Sequence, residues 1–167
     1  MRQLAIRPAT ADDVPIILEL IRGLAEYEHL THQVVATEAT LREALFGPQP
    51  GAEAVLGLID GHPAGFALFF HNFSTFLARR GLYLEDLFVK PGFRGCGLGE
   101  ALLRHLARLA VERGCGRFEW SVLDWNEPAI GFYRKLGATV LPDWRICRVT
   151  DEALTQLAAP VAALDRS

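Results

Sequence analysis

Between Val14 and Tyr27 the apolar residues Val14, Ile17, Leu18, Ile21, Leu24 and Ala25 recur every three or four positions, the period of a helix with one buried face. Ahead of it, Leu4 to Arg7 alternates apolar and polar and is closed by Pro8, which predicts a short strand, and Thr10 with Asp12 and Asp13 is placed to cap the helix. A second, shorter helix is predicted from Thr37 through Thr40 and Leu41 to Gly47-Pro48. Two apolar runs, Ala54 to Ile59 and Ala64 to His71, flank Asp60-Gly61-His62-Pro63, and the Asp-Gly pair suits the backbone of a tight hairpin. Leu82 to Val89 is a third such run, and Pro91 and Gly92 keep the next segment out of a sheet.

The helical period returns at Leu98, Leu102, Leu106, Leu109 and Ala110, with Arg113-Gly114 as a cationic last turn and a stop. Beyond it, Arg117 to Leu123 predicts a strand, Glu127 to Leu136 a helix opened by Asn126 and Pro128, and Asp143 to Val149 a closing strand. Asp151 to Leu157 predicts a last short helix before a frayed tail. No repeat, low-complexity tract or linker interrupts this order, so the chain reads as one α/β domain over residues 1–167, a mixed sheet flanked by helices.

A chain of 167 residues, half of them hydrophobic, is long enough for one core without metal or disulfide staples. Seventeen Lys and Arg against 20 Asp and Glu give a formal net charge of -3, which argues against nucleic acid and against a polybasic membrane patch, and for a small-molecule partner. Cys96, Cys115 and Cys147 form an odd set with no C-x-x-C pair, and the five histidines lack metal-ligand spacing, so no disulfide framework or metal site is expected. Reduced thiols, with no apolar stretch long enough for a secretory signal or a membrane span, fit the cytoplasm.

Two features carry chemistry. In Arg94-Gly95-Cys96-Gly97-Leu98-Gly99-Glu100 a strand passes through a glycine-rich turn into a helix start, which gathers free backbone N–H groups and the positive end of a helix dipole, a setting for phosphate. The spelling is neither a Walker loop nor G-x-G-x-x-G, since no Gly-Lys-Ser/Thr occurs and Glu100 stands where a last glycine would fall. The second feature is Glu85-Asp86 inside an apolar strand, where buried charge is costly. Strand neighbours face opposite ways, so only one of the two acids can face a ligand unless a bulge relaxes the rule.

Arg94-x-x-Gly97-x-Gly99 after an apolar strand resembles the coenzyme A signature of the GNAT acyltransferase superfamily. Tyr83-Leu84-Glu85-Asp86-Leu87-Phe88-Val89 and Trp125-Asn126-Glu127-Pro128-Ala129-Ile130-Gly131-Phe132-Tyr133 are similar to segments of its diamine (spermidine/spermine) acetyltransferases, as are Ile6 to Thr10 and Leu24 to Glu28, so the resemblance covers nearly the whole chain. It implies a twisted, mostly antiparallel mixed sheet, acetyl-CoA as co-substrate with no metal, and direct transfer in a ternary complex to a primary amine of a small cationic acceptor of the polyamine or diamine class. It also implies a homodimer.

On this resemblance Leu87, Phe88 and Val89 pair their backbone with the pantetheine arm, and Arg94 through Glu100 hold the pyrophosphate. Asn126, Glu127, Pro128, Ala129 and Tyr133 complete the cofactor contacts, with Asn126 either bonding the arm or capping its helix. A lysine-like amine has a pKa of about 10.4, so presenting it neutral at pH 7 costs about 4–5 kcal/mol. By resemblance Glu85 takes that proton through water, the Val89 N–H steadies the developing oxyanion, and Tyr133 protonates the leaving sulfur, an ordinary phenol being still protonated near neutrality. Asp86 is left between catalysis and structure. Tyr27, Glu28 and Glu85, with Glu119, Trp120 and Ser121 on the next strand, are implied to line the acceptor groove. The last three depart from the family's residue types, which leaves three alternatives: the same chemistry on a thialysine-like amino acid or other small amine, on a protein amino group, or a non-catalytic acyl-CoA sensor.

Overall fold

In a computed structural model, which describes residues 2–159, the hairpin expected at Asp60-Gly61 is formed: the two residues take φ of 51° and 81° and join β2 (Glu53–Ile59) to β3 (His62–Ser74). These strands belong to a five-stranded sheet in chain order, with β1 (Leu4–Pro8) at one edge and β4 (Arg79–Val89) and β5 (Phe118–Trp120) at the other. The first three pairings are antiparallel and β4 runs parallel to β5, which is the mixed sheet the sequence predicts. The chain divides into two compact units, one ending at Ser121 and the other beginning at Val122.

Leu56, Phe66 and Phe88 stand in register across β2, β3 and β4 and meet Ile17 and Leu20 of α1 (Val14–Tyr27) and Leu41 of α2 (Glu38–Phe46) in one buried cluster. Burying each such side chain is worth about 1.5–3 kcal/mol, which fixes the face of the sheet the helices cover. Side chains alternate along a strand, so the paired glycines Gly57 and Gly65 lie on the opposite face, against Leu98 at the start of α3 (Leu98–Glu112). α1 has the bounds its periodicity predicts. Thr10 caps a 3-10 turn, Ala11–Asp13, rather than α1 itself, and Arg7 grips both Asp13 carboxylate oxygens at 2.7 Å. The Arg7 guanidinium holds the Asp13 carboxyl far below the usual carboxylate range.

The β3–β4 ladder contains one irregularity. Leu68 faces Asp86 and Phe69 faces Leu84, so Glu85 is an extra residue, a β-bulge. On the other side β4 pairs with β5 only over Leu82–Leu84, and no strand among the described residues pairs with Asp86 to Val89 along that edge.

Two strand expectations need correction. Arg117 to Leu123 yields only three strand residues, because β5 leaves β4 where the bulge begins. Asp143 to Val149 forms no strand: it has alternation but no ladder partner among the described residues, and Trp144 and Ile146 are 81% and 71% exposed. The second unit holds α4 (Glu127–Lys135) and α5 (Asp151–Ala158), and the tail expected to fray after it lies outside the described residues. No helix among the described residues is long and apolar enough to cross a membrane.

Candidate active site

The Lys90 N–H donates to the Ala64 carbonyl, and peptide groups alternate sides along a strand. The N–H groups of Leu87 and Val89 are thereby turned away from β3, toward the unpaired edge. This edge, left open because β5 ends at Trp120, is a ready template for an extended amide-bearing ligand.

The edge runs into the glycine-rich turn. Gly95 and Gly97 take φ of 76° and 86°, and no atom lies within 4 Å of where a Cβ would project from either. Left-handed backbone with open space above it, at the N-terminus of a fifteen-residue helix, fits a pyrophosphate better than any side-chain-bearing turn would. Glu100 is occupied with Arg104 at 2.7 Å, and Cys96 donates its thiol to the Phe93 carbonyl. Arg94 already has partners within the fold. Its Nε donates to the Val89 carbonyl at 3.1 Å, and its guanidinium lies over the Tyr27 ring at 4.8 Å from the centroid.

The bulge settles which acid faces where. Phe88 faces α1, and two residues back Asp86 shares that face, toward Glu28 at the C-terminal end of α1. Glu85, the inserted residue, is exposed. Burial, then the charges of Glu85 and Glu28, push the Asp86 carboxyl up to about 6, and burial also raises Glu28. Among the described residues no cation stands in ion-pair contact with Glu28, Glu85 or Asp86. The double acid breaks the strand's alternation, which was the available signal for a bulge.

The same face of the sheet also carries Phe70 and Asn72, which sequence reasoning passed over. Phe70 and Tyr83 are in ring contact at 5.2 Å, and the Tyr83 hydroxyl meets Ser121 Oγ at 2.7 Å. Asn72 Nδ2 donates to Glu119 Oε1 at 3.1 Å, and Glu119 is paired with Arg117. A polar Asn72 in the middle of the aromatic run Phe69-Phe70-His71-Asn72-Phe73 was the signal. Glu119 and Ser121 are thus brought to the face that carries Asp86. Trp120, between them on the strand, is not: it faces the other way, its ring tilted at 55° to that of Phe118 with centroids 4.9 Å apart.

In the second unit Asn126 is buried and accepts from the Ala129 N–H at 3.4 Å, so its capping role is realised, with Glu127 and Pro128 forming the first turn of α4. Tyr133 is half-buried in α4, with its ring 5.5 Å from that of Phe132.

The chain is similar to known proteins in sequence and in fold. Residues 18–138 match the family described as acetyltransferase (GNAT). The chain is 38% identical to a thialysine N-epsilon-acetyltransferase of Sus scrofa, over 95% of this chain and 99% of that one. It is 37% identical to an L-ornithine N5-acetyltransferase of Arabidopsis thaliana, over 89% of this chain and 85% of that one. Among solved structures, an integron cassette protein from the mobile metagenome of V. cholerae superposes with a TM-score of 0.76 at 27% identity, covering 94% of this chain and 98% of that one. A strand edge left open beside a glycine-rich helix start, on a sheet that matches at this level, places the chain in the GNAT family of acetyltransferases.

Proposed function

We propose that the chain transfers the acetyl group of acetyl-CoA to the primary amine of a small cationic acceptor, polyamine-like or amino-acid-like, by direct attack in a ternary complex. The observation that carries this reading is the gathering of three carboxylates, Glu28, Glu85 and Asp86, without ion-pair contacts among the described residues, beside an open strand edge that leads into an anion-fitting turn. When bound, acetyl-CoA supplies the acetyl thioester. Leu87 and Val89 offer edge N–H groups to the pantetheine arm, Phe88 packs beneath it, and the Val89 N–H stabilises charge on the carbonyl oxygen. The N–H groups from Gly95 to Gly99 receive the pyrophosphate.

On the acceptor side the acids attract the ammonium. Asp86, raised toward neutrality, is matched to take its proton, and Glu85 at the exposed bulge relays that proton to water. Tyr133 returns a proton to the sulfur, and Asn126 adds an amide to the arm. Both belong to the second unit, and the family match, residues 18–138, includes both. A homodimer is part of the proposal too, supported by the fully exposed Phe76 and half-exposed Leu77 at the β3–β4 turn.

Release of free thiol from acetyl-CoA across a panel of amines tests the reading. Turnover with small diamines or side-chain amines is the expected result, and tight acetyl-CoA binding without thiol release for any amine would overturn it.

A further inference from the structure

We infer that His71 is a proton-operated catch on α3: neutral, it holds Arg113, and with it the closing turn of the helix, against the sheet, and protonated it releases them. The catch belongs to the scaffold and does not depend on the proposed function.

Arg113 is the residue on which α3 ends. Gly114 follows in left-handed backbone, with φ of 66°, and Gly114 and Cys115 turn their N–H groups back onto the carbonyls of Val111 and Ala110. From that end the Arg113 side chain crosses to the sheet. Its Nη1 and Nη2 donate to the two Glu53 carboxylate oxygens at 2.5 and 2.8 Å, and its guanidinium carbon lies 5.9 Å from the centre of the Phe69 ring. Nη1 also stands 3.4 Å from His71 Nε2. Glu53 and Phe69 are register partners on β2 and β3, and Phe69 and His71 share the face that Gly65 turns toward α3. The helix is therefore tied to the same two strands at both ends, by Leu98 at its start and by Arg113 at its close.

A guanidinium has only donors, so the contact with Arg113 uses a lone pair on Nε2 and assigns the imidazole proton to Nδ1. Protonating the ring fills that lone pair, and a hydrogen bond becomes a meeting of two cations. Three charged groups face His71: Arg113 from α3, Arg80 from β4, two residues before the register partner Leu82, and Glu53 from β2. Two are cations, and Arg113 already engages the one anion. Burial, then Arg113 and Arg80, hold the imidazole below the ordinary histidine value of 6.5, with Glu53 opposing. The unfolded chain thus binds the proton more tightly, so the catch is closed above pH 6.5 and opens as pH falls below it. Because Leu98 stays seated on Gly57 and Gly65, the opening is confined to the closing turn of α3.

Amide hydrogen exchange, read as protection factors between pH 8 and pH 5, tests the catch at Gly114 and Cys115, with Leu102 reporting the middle of the same helix. It is measured on the native protein, His71→Gln and His71→Lys. Glutamine keeps an acceptor for Arg113 and does not titrate, whereas lysine carries the charge throughout. The native protein is expected to lose roughly tenfold of its protection at Gly114 and Cys115 toward pH 5 while Leu102 holds. His71→Gln should stay protected at both extremes, and His71→Lys should be unprotected at Gly114 already at pH 8. Asp86 and His105 are present in all three proteins, so a step due to either survives in His71→Gln. Such a surviving step, flat protection in the native protein, or an equal loss at Leu102 overturns the inference. The native and glutamine arms decide it even where the lysine variant fails to fold.

Discussion

Leu98 closes over Gly57 so tightly that a Cβ at position 57 would stand 2.7 Å from Leu98 Cδ1. Leu98 is the first residue of α3, so this contact sets how the anion-fitting turn is anchored to the sheet. Gly57→Ala is expected to destabilise the fold by about 1–3 kcal/mol through overpacking and to weaken acetyl-CoA binding, as measured by urea unfolding and calorimetric titration. Leu98→Ala removes the clash, so the double variant should lose less than the two single losses added together. Strict additivity would show that the two side chains are not in contact.

Asp86 links activity to pH. Its folded pKa of about 6 lies above its ordinary 3.8, so the folded state holds the proton more tightly than the unfolded chain does. Its contribution to stability is therefore most favourable below pH 3.8 and is lost as pH rises through about 6. Asp86→Asn keeps the neutral form at all pH: it should stabilise the protein by about 3 kcal/mol at pH 7.5 and by only about 0.5 kcal/mol at pH 4. The same variant should lose roughly a hundredfold or more in kcat/KM, and with it the ascending limb near pH 6. Urea melts and a pH–rate profile check the two halves separately.

Arg94 touches both sides of the chemistry, bonded to the Val89 carbonyl and stacked on Tyr27. On the proposed function, a pyrophosphate arriving at the turn would compete for that guanidinium and so link acetyl-CoA binding to the surroundings of Tyr27. Arg94→Met should therefore weaken acetyl-CoA and also remove most of the effect that bound amine has on acetyl-CoA affinity. Titrations of acetyl-CoA with and without amine measure this, and an unchanged ratio in the variant would refute the link.

For Tyr133, the prediction separates chemistry from binding. Tyr133→Phe should lower kcat by roughly tenfold to a thousandfold while leaving the unfolding midpoint and the acetyl-CoA dissociation constant near native values. A variant with full turnover removes the phenol from the mechanism.

Much of the scaffold was legible because it depends on local pattern. The apolar period of Val14 to Tyr27 fixes α1, Asp60-Gly61 fixes the hairpin, and the spacing of glycines from Gly95 to Gly99 marks the anion-fitting turn. What escaped depends on partners distant in the chain. Asp143 to Val149 alternates like a strand, but alternation cannot say whether a ladder partner exists. Arg94 had a basic side chain beside a phosphate-type loop, and only the fold shows Tyr27 within reach of it. Asn72 and Glu119 are 47 residues apart, and nothing at either position announces the other. Asp86 was the intermediate case: the broken alternation was visible, but its proximity to Glu28 was not.

The extra residue in β4 divides that strand into two stretches that are out of phase. Leu82 and Leu84 fill the core on the face toward α3, while Asp86 and Phe88 obey the opposite parity. Removing Glu85 would therefore delete more than a carboxylate: it would oblige either the packing half or the acidic half to turn inside out. Whatever side chain position 85 carries, a lineage with this fold has almost no freedom to change the number of residues there.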